Sequence, residues 1–265
     1  MKKPVVVSII NNKGGVGKTS VTINLGSVLA DNLKVLIIDN DRQANSTSVL
    51  TGGKSYEEKN MISLYQDKEF DIINIFENTP IKKELYLLPG NPGIEEIRSV
   101  IDGKRDRERI LEKKIDSIAE GFDIVLIDNP PSIDVFAYNA LYASDFALIP
   151  FKPGALEFAG MQNLITTLAA IKKDGHKIEL LGVLVNMYNS RTKAATKYIG
   201  ELIAMLPEEK IFDTMIPVSQ DFINAVMDSI PIDLYQDANK SIVNTYLQLR
   251  DEFLAKLETF NSKEA

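Results

Sequence analysis

Cysteine is absent from the chain, so disulfides, thiolate nucleophiles and Cys-ligated iron–sulfur or zinc centres are excluded at the outset. Histidine is nearly absent. Its one copy, His176, sits in Lys172-Lys173-Asp174-Gly175-His176-Lys177, a helix-end and turn pattern in which a solvated ring is expected, and no histidine metal cluster can form. No apolar run approaches the roughly 18 residues that a membrane span needs, and Met1-Lys2-Lys3 leads into a strand pattern rather than a secretory h-region. A cytoplasmic protein is expected. Positive charge is also in deficit: 30 Lys and Arg against 37 Asp and Glu give a net −7, so any nucleic-acid contact must come from a local patch. Internal repeats and low-complexity tracts do not stand out.

What is present suffices for a full core. A chain of 265 residues with 45% hydrophobic content is expected to form a single domain over residues 1–265. Short β-branched runs alternate with longer helical patterns: Val5 to Ile10, Val35 to Asp39, Leu85 to Leu88, Ile124 to Asp128, Phe146 to Pro150, Leu181 to Asn186 and Thr214 to Ile216. These runs are apolar throughout instead of alternating, which is the mark of strands buried on both faces. The expected fold is therefore α/β, a largely parallel twisted sheet flanked by helices on both faces. Several runs end in a polar residue or proline at the edge where such sheets bind ligands. Between Thr51 and Lys114 the pattern weakens, with Gly52-Gly53, Pro80, Pro89-Gly90 and Pro92-Gly93 as breakers. There Arg98 to Lys114, of mixed charge, has the pattern of a solvated helix face.

After the first strand comes Lys13-Gly14-Gly15-Val16-Gly17-Lys18-Thr19, opening a helical pattern. Glycines let the backbone curl so that successive N–H groups point at one anion, and the helix N-terminus adds its positive dipole end. This is a phosphate-binding loop: Lys18 would reach the β- and γ-phosphates and the Thr19 hydroxyl would ligate Mg²⁺. A simple glycine turn is the bland alternative, disfavoured by the strand before and helix after. The usual P-loop pattern has glycine where this chain has Asn12, and Lys13 stands just inside the loop. With Lys18 serving the phosphates, position alone leaves the task of Lys13 open.

Two further strands end in acid. Val35 to Asn45 places Asp39 and Asp41 two residues apart, which in extended geometry point the same way. Phe122 to Pro131 is an apolar strand ending in Asp128, followed by Asn129-Pro130-Pro131. Asp128 suits a Walker B role, binding Mg²⁺ through its water shell. One strand-end aspartate is as often a cap or turn former. Three such acids after a phosphate loop make up the minimum kit for hydrolysing ATP by an oriented water.

In these motifs the chain resembles the ParA/Soj family of partition ATPases, within the MinD/ParA group of P-loop NTPases with a deviant Walker A loop. The resemblance spans nearly the whole chain and rests on the Lys13 to Thr19 loop, Asp39-Asn40-Asp41-Arg42-Gln43-Ala44-Asn45, Asp128-Asn129-Pro130-Pro131, and Ala143-Ser144-Asp145 leading to Pro150. It implies that Lys13 crosses a dimer interface to the partner's nucleotide. It also implies that Lys18 and Thr19 serve phosphate and metal in cis, that Asp41 assists the attacking water, that Asp39 supports the metal site, and that Asp128 is the Walker B acid. Gly14, Gly15, Val16, Gly17 and Ser20 complete the ATP/ADP loop, and Asn186, Met187 and Pro217 match the base-binding positions. Arg42 stands where the family usually has proline, Val218-Ser219 where it often has Arg-Asn, and Asp221 where it often has a basic residue, a departure that counts against a DNA contact from that last loop.

Leu180 to Gly200 contains no acid but has Arg191, Lys193 and Lys197. With a helix starting near Thr192, Lys193 and Lys197 lie i, i+4 on one face, a candidate for non-specific DNA contact or an ordinary solvated face. Ile242, Tyr246, Leu249, Phe253, Leu257 and Phe260 form a helical stripe. MinD proteins bind membranes through an amphipathic tail, but four basic and four acidic residues from Lys240 onward lack the basic face anionic lipid attracts, so a helix packed on the sheet is expected. The chain starts almost directly at the first strand, which resembles the short ParA type without an N-terminal helix-turn-helix domain. The implied function is DNA segregation: an ATP-dependent homodimer, nucleoid-associated when ATP-bound, that holds DNA non-specifically and is stimulated to hydrolyse by a ParB-like centromere-binding partner. A MinD-like membrane-associated regulator is the alternative, and a metabolic P-loop ligase or kinase is a third, for which no acceptor constellation is evident.

Overall fold

The computed structural model describes residues 4–75 and 82–264, without the side chains of Asn261, Lys263 and Glu264. Met1-Lys2-Lys3 and the breaker Pro80 lie outside the described residues, as do the Lys263 and Glu264 charges. Strands β1 (Val5–Ile9), β2 (Val35–Asp39), β3 (Ile73–Asn74), β4 (Leu85–Leu88), β5 (Ile124–Asp128), β6 (Phe146–Phe151) and β7 (Glu179–Val185) form one sheet in the order β3-β4-β2-β5-β1-β6-β7. All pairs are parallel except the edge pair β3 and β4. Among the α-helices are α1 (Lys18–Leu29), α2 (Asn45–Leu50), α3 (Met61–Tyr65), α4 (Arg98–Asp102), α5 (Glu112–Ala119), α6 (Val135–Tyr142), α7 (Ala155–Lys173), α8 (Lys193–Met205), α9 (Asp221–Met227) and α10 (Lys240–Glu264).

Strand alternation sorts the core into two sides. Val7, Ile9, Val35 and Ile37 pack under α1 and α10, while Val6, Leu36, Ile38, Val125 and Ile127 face the side covered by α3, α5 and α6. A third cluster sets Ile149 and Phe151 of β6 against Met161 and Leu164 of α7. The α10 stripe behaves as its periodicity requires. Tyr246, Leu249, Phe253 and Leu257 are buried in the first cluster with Phe260 packed against it, each full burial being worth about 1.5–3 kcal/mol. Among the described residues no helix is long and apolar enough to cross a membrane.

Three expectations are corrected. Thr214 to Ile216 is not a strand: the Ile216 N–H donates to the Val185 carbonyl at 2.9 Å and its carbonyl accepts the Tyr188 N–H at 2.8 Å, but only isolated bridges, Val183 with Ile211 and Tyr188 with Pro217, form on either side of the segment. Arg98 to Lys114 is not one helix, because the chain breaks after α4 at Gly103 and turns again at Asp106, whose φ is +55°. Several of its cations are also paired: Lys104 and Lys114 hold Asp67, whose carboxyl is pulled down to about 2, and Arg109 holds Glu112. His176 is only partly exposed to solvent. Its Nδ1 accepts from the Ile178 N–H at 3.1 Å, which leaves the proton on Nε2 to donate to the Tyr142 carbonyl at 2.7 Å.

Candidate functional site

The end of β1 in mid-sheet delivers the loop to the carboxyl edge, and Asn11 fixes its course. The buried Asn11 amide donates to the Pro150 carbonyl at 2.8 Å and its Oδ1 accepts the Lys13 N–H at 3.0 Å. Gly17 closes the loop as the N-cap of α1 with φ +85°. Only glycine serves there, because a Cβ would also lie 2.2 Å from the Asn186 Nδ2 and 3.4 Å from the Met187 Cε. Asn186 in turn donates to the Val16 carbonyl at 2.8 Å, so the end of β7 is stitched to the loop. The first turn of α1 carries no acid, leaving its dipole free for an anion.

Lys18 is buried and its ammonium donates to the Lys13 carbonyl at 3.1 Å. Burial lowers its pKa, opposed by the charges of Asp128 and Asp41. Lys13 behaves differently. Its stem lies over Gly160 of α7, where a Cβ would come 3.1 Å from the Lys13 Cγ, and its ammonium forms no ion pair or hydrogen bond among the described residues.

Asp39 and Asp128 are paired in register at the ends of adjacent β2 and β5, both fully buried. Asp39 Oδ2 accepts from the Thr47 N–H and hydroxyl, each at 2.7 Å, and Oδ1 from the Asp41 N–H at 3.3 Å. Burial, then the neighbouring Asp128, pushes the Asp39 carboxyl up to about 7. Asp128 Oδ2 accepts from the Ser46 hydroxyl at 2.7 Å, while its buried Oδ1 accepts no hydrogen bond. Burial raises Asp128 to about 6, against the opposing effects of the Ser46 and Thr19 hydroxyls. Asp41 is buried too and its pKa is raised by that burial, with the Gln43 N–H, 3.0 Å from Oδ1, and Lys18 acting the other way. β2 ends at Asp39, and Asp41, two residues on, opens a turn closed by the Ala44 N–H to its own carbonyl at 2.9 Å.

Three buried acids beside one buried lysine leave the site short of positive charge. Among the described residues no three acids or histidines form a complete metal cage. A hydrated dication needs less, one or two protein oxygens with phosphate supplying the rest, and the donorless Oδ1 of Asp128 beside the Thr19 hydroxyl fits that demand. Asp39 differs: both of its oxygens are engaged by Thr47 and Asp41, so it ties the Asp41 turn to the sheet.

The structure thus brings the residues of the loop, Asp39, Asp41, Asp128, Asn186 and Met187 together, and Pro217 joins through its bridge to Tyr188. Met187 adopts φ +52°, the left-handed turn that sets it beside Gly17. Arg191, Lys193 and Lys197 stand apart on the exposed start of α8, capped by Thr192, and Lys197 lies 3.8 Å from Glu201 just beyond the acid-free window. Sequence reasoning missed Asn11, Ser46 and Thr47. The one signal for the last two was a run of small polar residues immediately after the Asp39 to Asn45 motif.

The AAA-domain family model matches residues 4–180. The chromosome-partitioning ATPase Soj of Thermus thermophilus is 32% identical over 80% of this chain and 80% of its own length. The sporulation initiation inhibitor protein Soj of Bacillus subtilis is 30% identical over 94% of this chain and 98% of its own. Among solved structures, a putative plasmid partition protein of Borrelia burgdorferi bound to AMPPNP superposes with a TM-score of 0.78 at 23% identity, covering 96% of this chain and 100% of that one.

Proposed function

The chain belongs to the ParA/Soj family of partition ATPases, and from that premise we propose that it works as an ATP-gated homodimer that holds DNA without reading its sequence. The N–H groups from Gly14 to Ser20 and the Lys18 ammonium hold the phosphates, while Asn186, Met187 and Pro217 line the base. Thr19 and Asp128 would hold hydrated Mg²⁺, which when bound would neutralise phosphate charge. Asp41 orients the water that yields ADP and phosphate, and Asp39 holds the Asp41 turn in place. A ParB-like partner at a centromere-like site stimulates that step, and Arg191, Lys193 and Lys197 of both protomers meet DNA phosphates.

The observation that carries this reading is the division between the two lysines. Lys18 is buried and turned inward; Lys13 keeps an unpaired ammonium at the mouth of the same loop, suited to reach a nucleotide held by a second copy. The MinD-like alternative draws no support from α10, whose stripe is buried against the α1 side of the sheet. Light scattering with ATP and Mg²⁺ tests the dimer. Wild type should double its mass, and Lys13→Ala should stay monomeric while still binding a fluorescent ATP analogue. A Lys13→Ala variant that dimerises normally would overturn the cross-subunit role.

A further inference from the structure

Four of the seven large hydrophobic side chains that stand exposed among the described residues fall within ten positions: Val218 at 63%, Ile223 at 54%, Val226 at 47% and Met227 at 78%. Three of them lie on α9. Its inner face is accounted for, since Phe222 and Ala225 pack into the first core cluster. Ile223, Val226 and Met227 follow at i, i+3 and i+4, one shared outer face. A helix apolar on both faces is normally covered on both. Here one side is open.

The surroundings of that face carry one sign. From residue 211 to 239 the chain has five aspartates and no Lys, Arg or His. Asp233 is neutralised by Lys82 at 3.0 Å, but Asp221, Asp228 and Asp237 make no ion pair among the described residues. The Asp221 carboxylate instead accepts the Asn239 N–H at 2.9 Å, which brings the Asp237 loop against α9.

We propose that the outer face of α9, with Val218, docks a cationic segment of a protein partner, one that presents aliphatic side chains flanked by Lys or Arg. Charge decides the occupant. DNA phosphates and anionic lipid would be repelled by the three unpaired aspartates. A two-fold contact with a second copy would set the same acids against each other. A basic, apolar segment satisfies both the exposed stripe and the acidic rim. The surface also connects to the nucleotide loop: the Val218 N–H donates to the Tyr188 carbonyl at 3.1 Å, the Tyr188 N–H to the Ile216 carbonyl at 2.8 Å, and the neighbouring Asn186 to Val16. Occupancy of α9 is therefore one short strap away from Gly17. The inference needs only the surface and is independent of the DNA reading.

Anisotropy of a fluorescein-labelled amphipathic Leu/Lys peptide, titrated with the full chain near 0.15 M salt, tests it. Wild type should bind the peptide. Ile223→Ser combined with Val226→Ser and Met227→Ser should weaken binding by about tenfold or more, as should Asp228→Lys with Asp237→Lys. Asp116→Lys with Glu120→Lys, an equal charge change on exposed positions of and just after α5, should leave binding unchanged. Each variant is also titrated with a fluorescent ATP analogue, and if the triple variant has lost its fold, Met227→Ser alone replaces it. No binding by wild type, equal binding by the α9 variants, or equal loss in the α5 control would overturn the proposal. So would binding of a DNA duplex or phosphatidylglycerol vesicles that the α9 substitutions abolish.

Discussion

The Lys18 ammonium donates a hydrogen bond to the Lys13 carbonyl across 3.1 Å, so the backbone of one lysine holds the head of the other. The contact keeps Lys18 inside the loop while the Lys13 side chain remains unpaired.

The two lysines should accordingly fail in different ways. Lys18→Ala removes charge-assisted hydrogen bonds to phosphate and should weaken ATP binding by about 10- to 100-fold in a fluorescent-nucleotide titration, with dimerisation lost as a consequence. Lys13→Ala should bind nucleotide within about twofold of wild type. Equal losses in the two variants would contradict the separation of roles.

Asp41→Ala should leave nucleotide binding intact and lower phosphate release by about 10²- to 10⁴-fold, the usual worth of a group that positions a reacting water. The ATP-bound dimer should then persist in light scattering. Basal turnover of the unmodified chain should itself be slow; a rate of about 10 per second, ordinary for a metabolic enzyme, would argue against a switch whose ATP state must last until its partner arrives. Substitution of Asp39 should act differently, because its oxygens hold Thr47 and the Asp41 N–H and do not face an open position.

The basic surface carries a prediction that sequence alone did not. Lys197 lies 3.8 Å from Glu201, so a phosphate must displace that acid to reach it. Charge reversal of Arg191 and Lys193 should reduce ATP-dependent DNA retention and flatten its salt dependence, whereas Glu201→Gln should strengthen retention by about two- to fivefold, the range of a partly exposed ion pair. Unchanged DNA retention in both would assign the window to solvent alone.

How far these roles could be read without coordinates depends on the distance over which each is built. β1, β2, β5 and β6 were legible because both their faces are buried, leaving uninterrupted apolar runs. The loop was legible because its chemistry is local to Lys13 through Thr19. Thr214 to Ile216 misled because a Thr-Met-Ile run carries the same signal whether it joins a ladder or makes only the Ile216 hydrogen bonds to Val185 and Tyr188. β3 was invisible at two residues long. Ser46 and Asp128 meet across 82 positions of chain, and nothing in a serine's neighbours announces such a partner. His176 escaped for the same reason: its ring is held by Tyr142, 34 positions away.

The two strand-end acids make the nucleotide-free chain sensitive to pH in a direction opposite to that of salt-bridged carboxylates. In the unfolded chain Asp39 and Asp128 titrate near the ordinary carboxylate value of about 4. Burial raises them to about 7 and about 6 in the folded state, so between these limits the folded chain binds more protons than the unfolded one. Stability must then fall as pH rises from about 4 to about 7 and level off above. Thermal unfolding without nucleotide should show this slope, and Asp39→Asn should flatten it. Adding ATP with Mg²⁺ should raise Tm most at pH 7.5, because a dication at Asp128 favours the ionised acids that burial alone disfavours. A Tm of the nucleotide-free chain that rises steadily from pH 5 to pH 7.5 in wild type and in Asp39→Asn alike would show that these two carboxyls do not govern it.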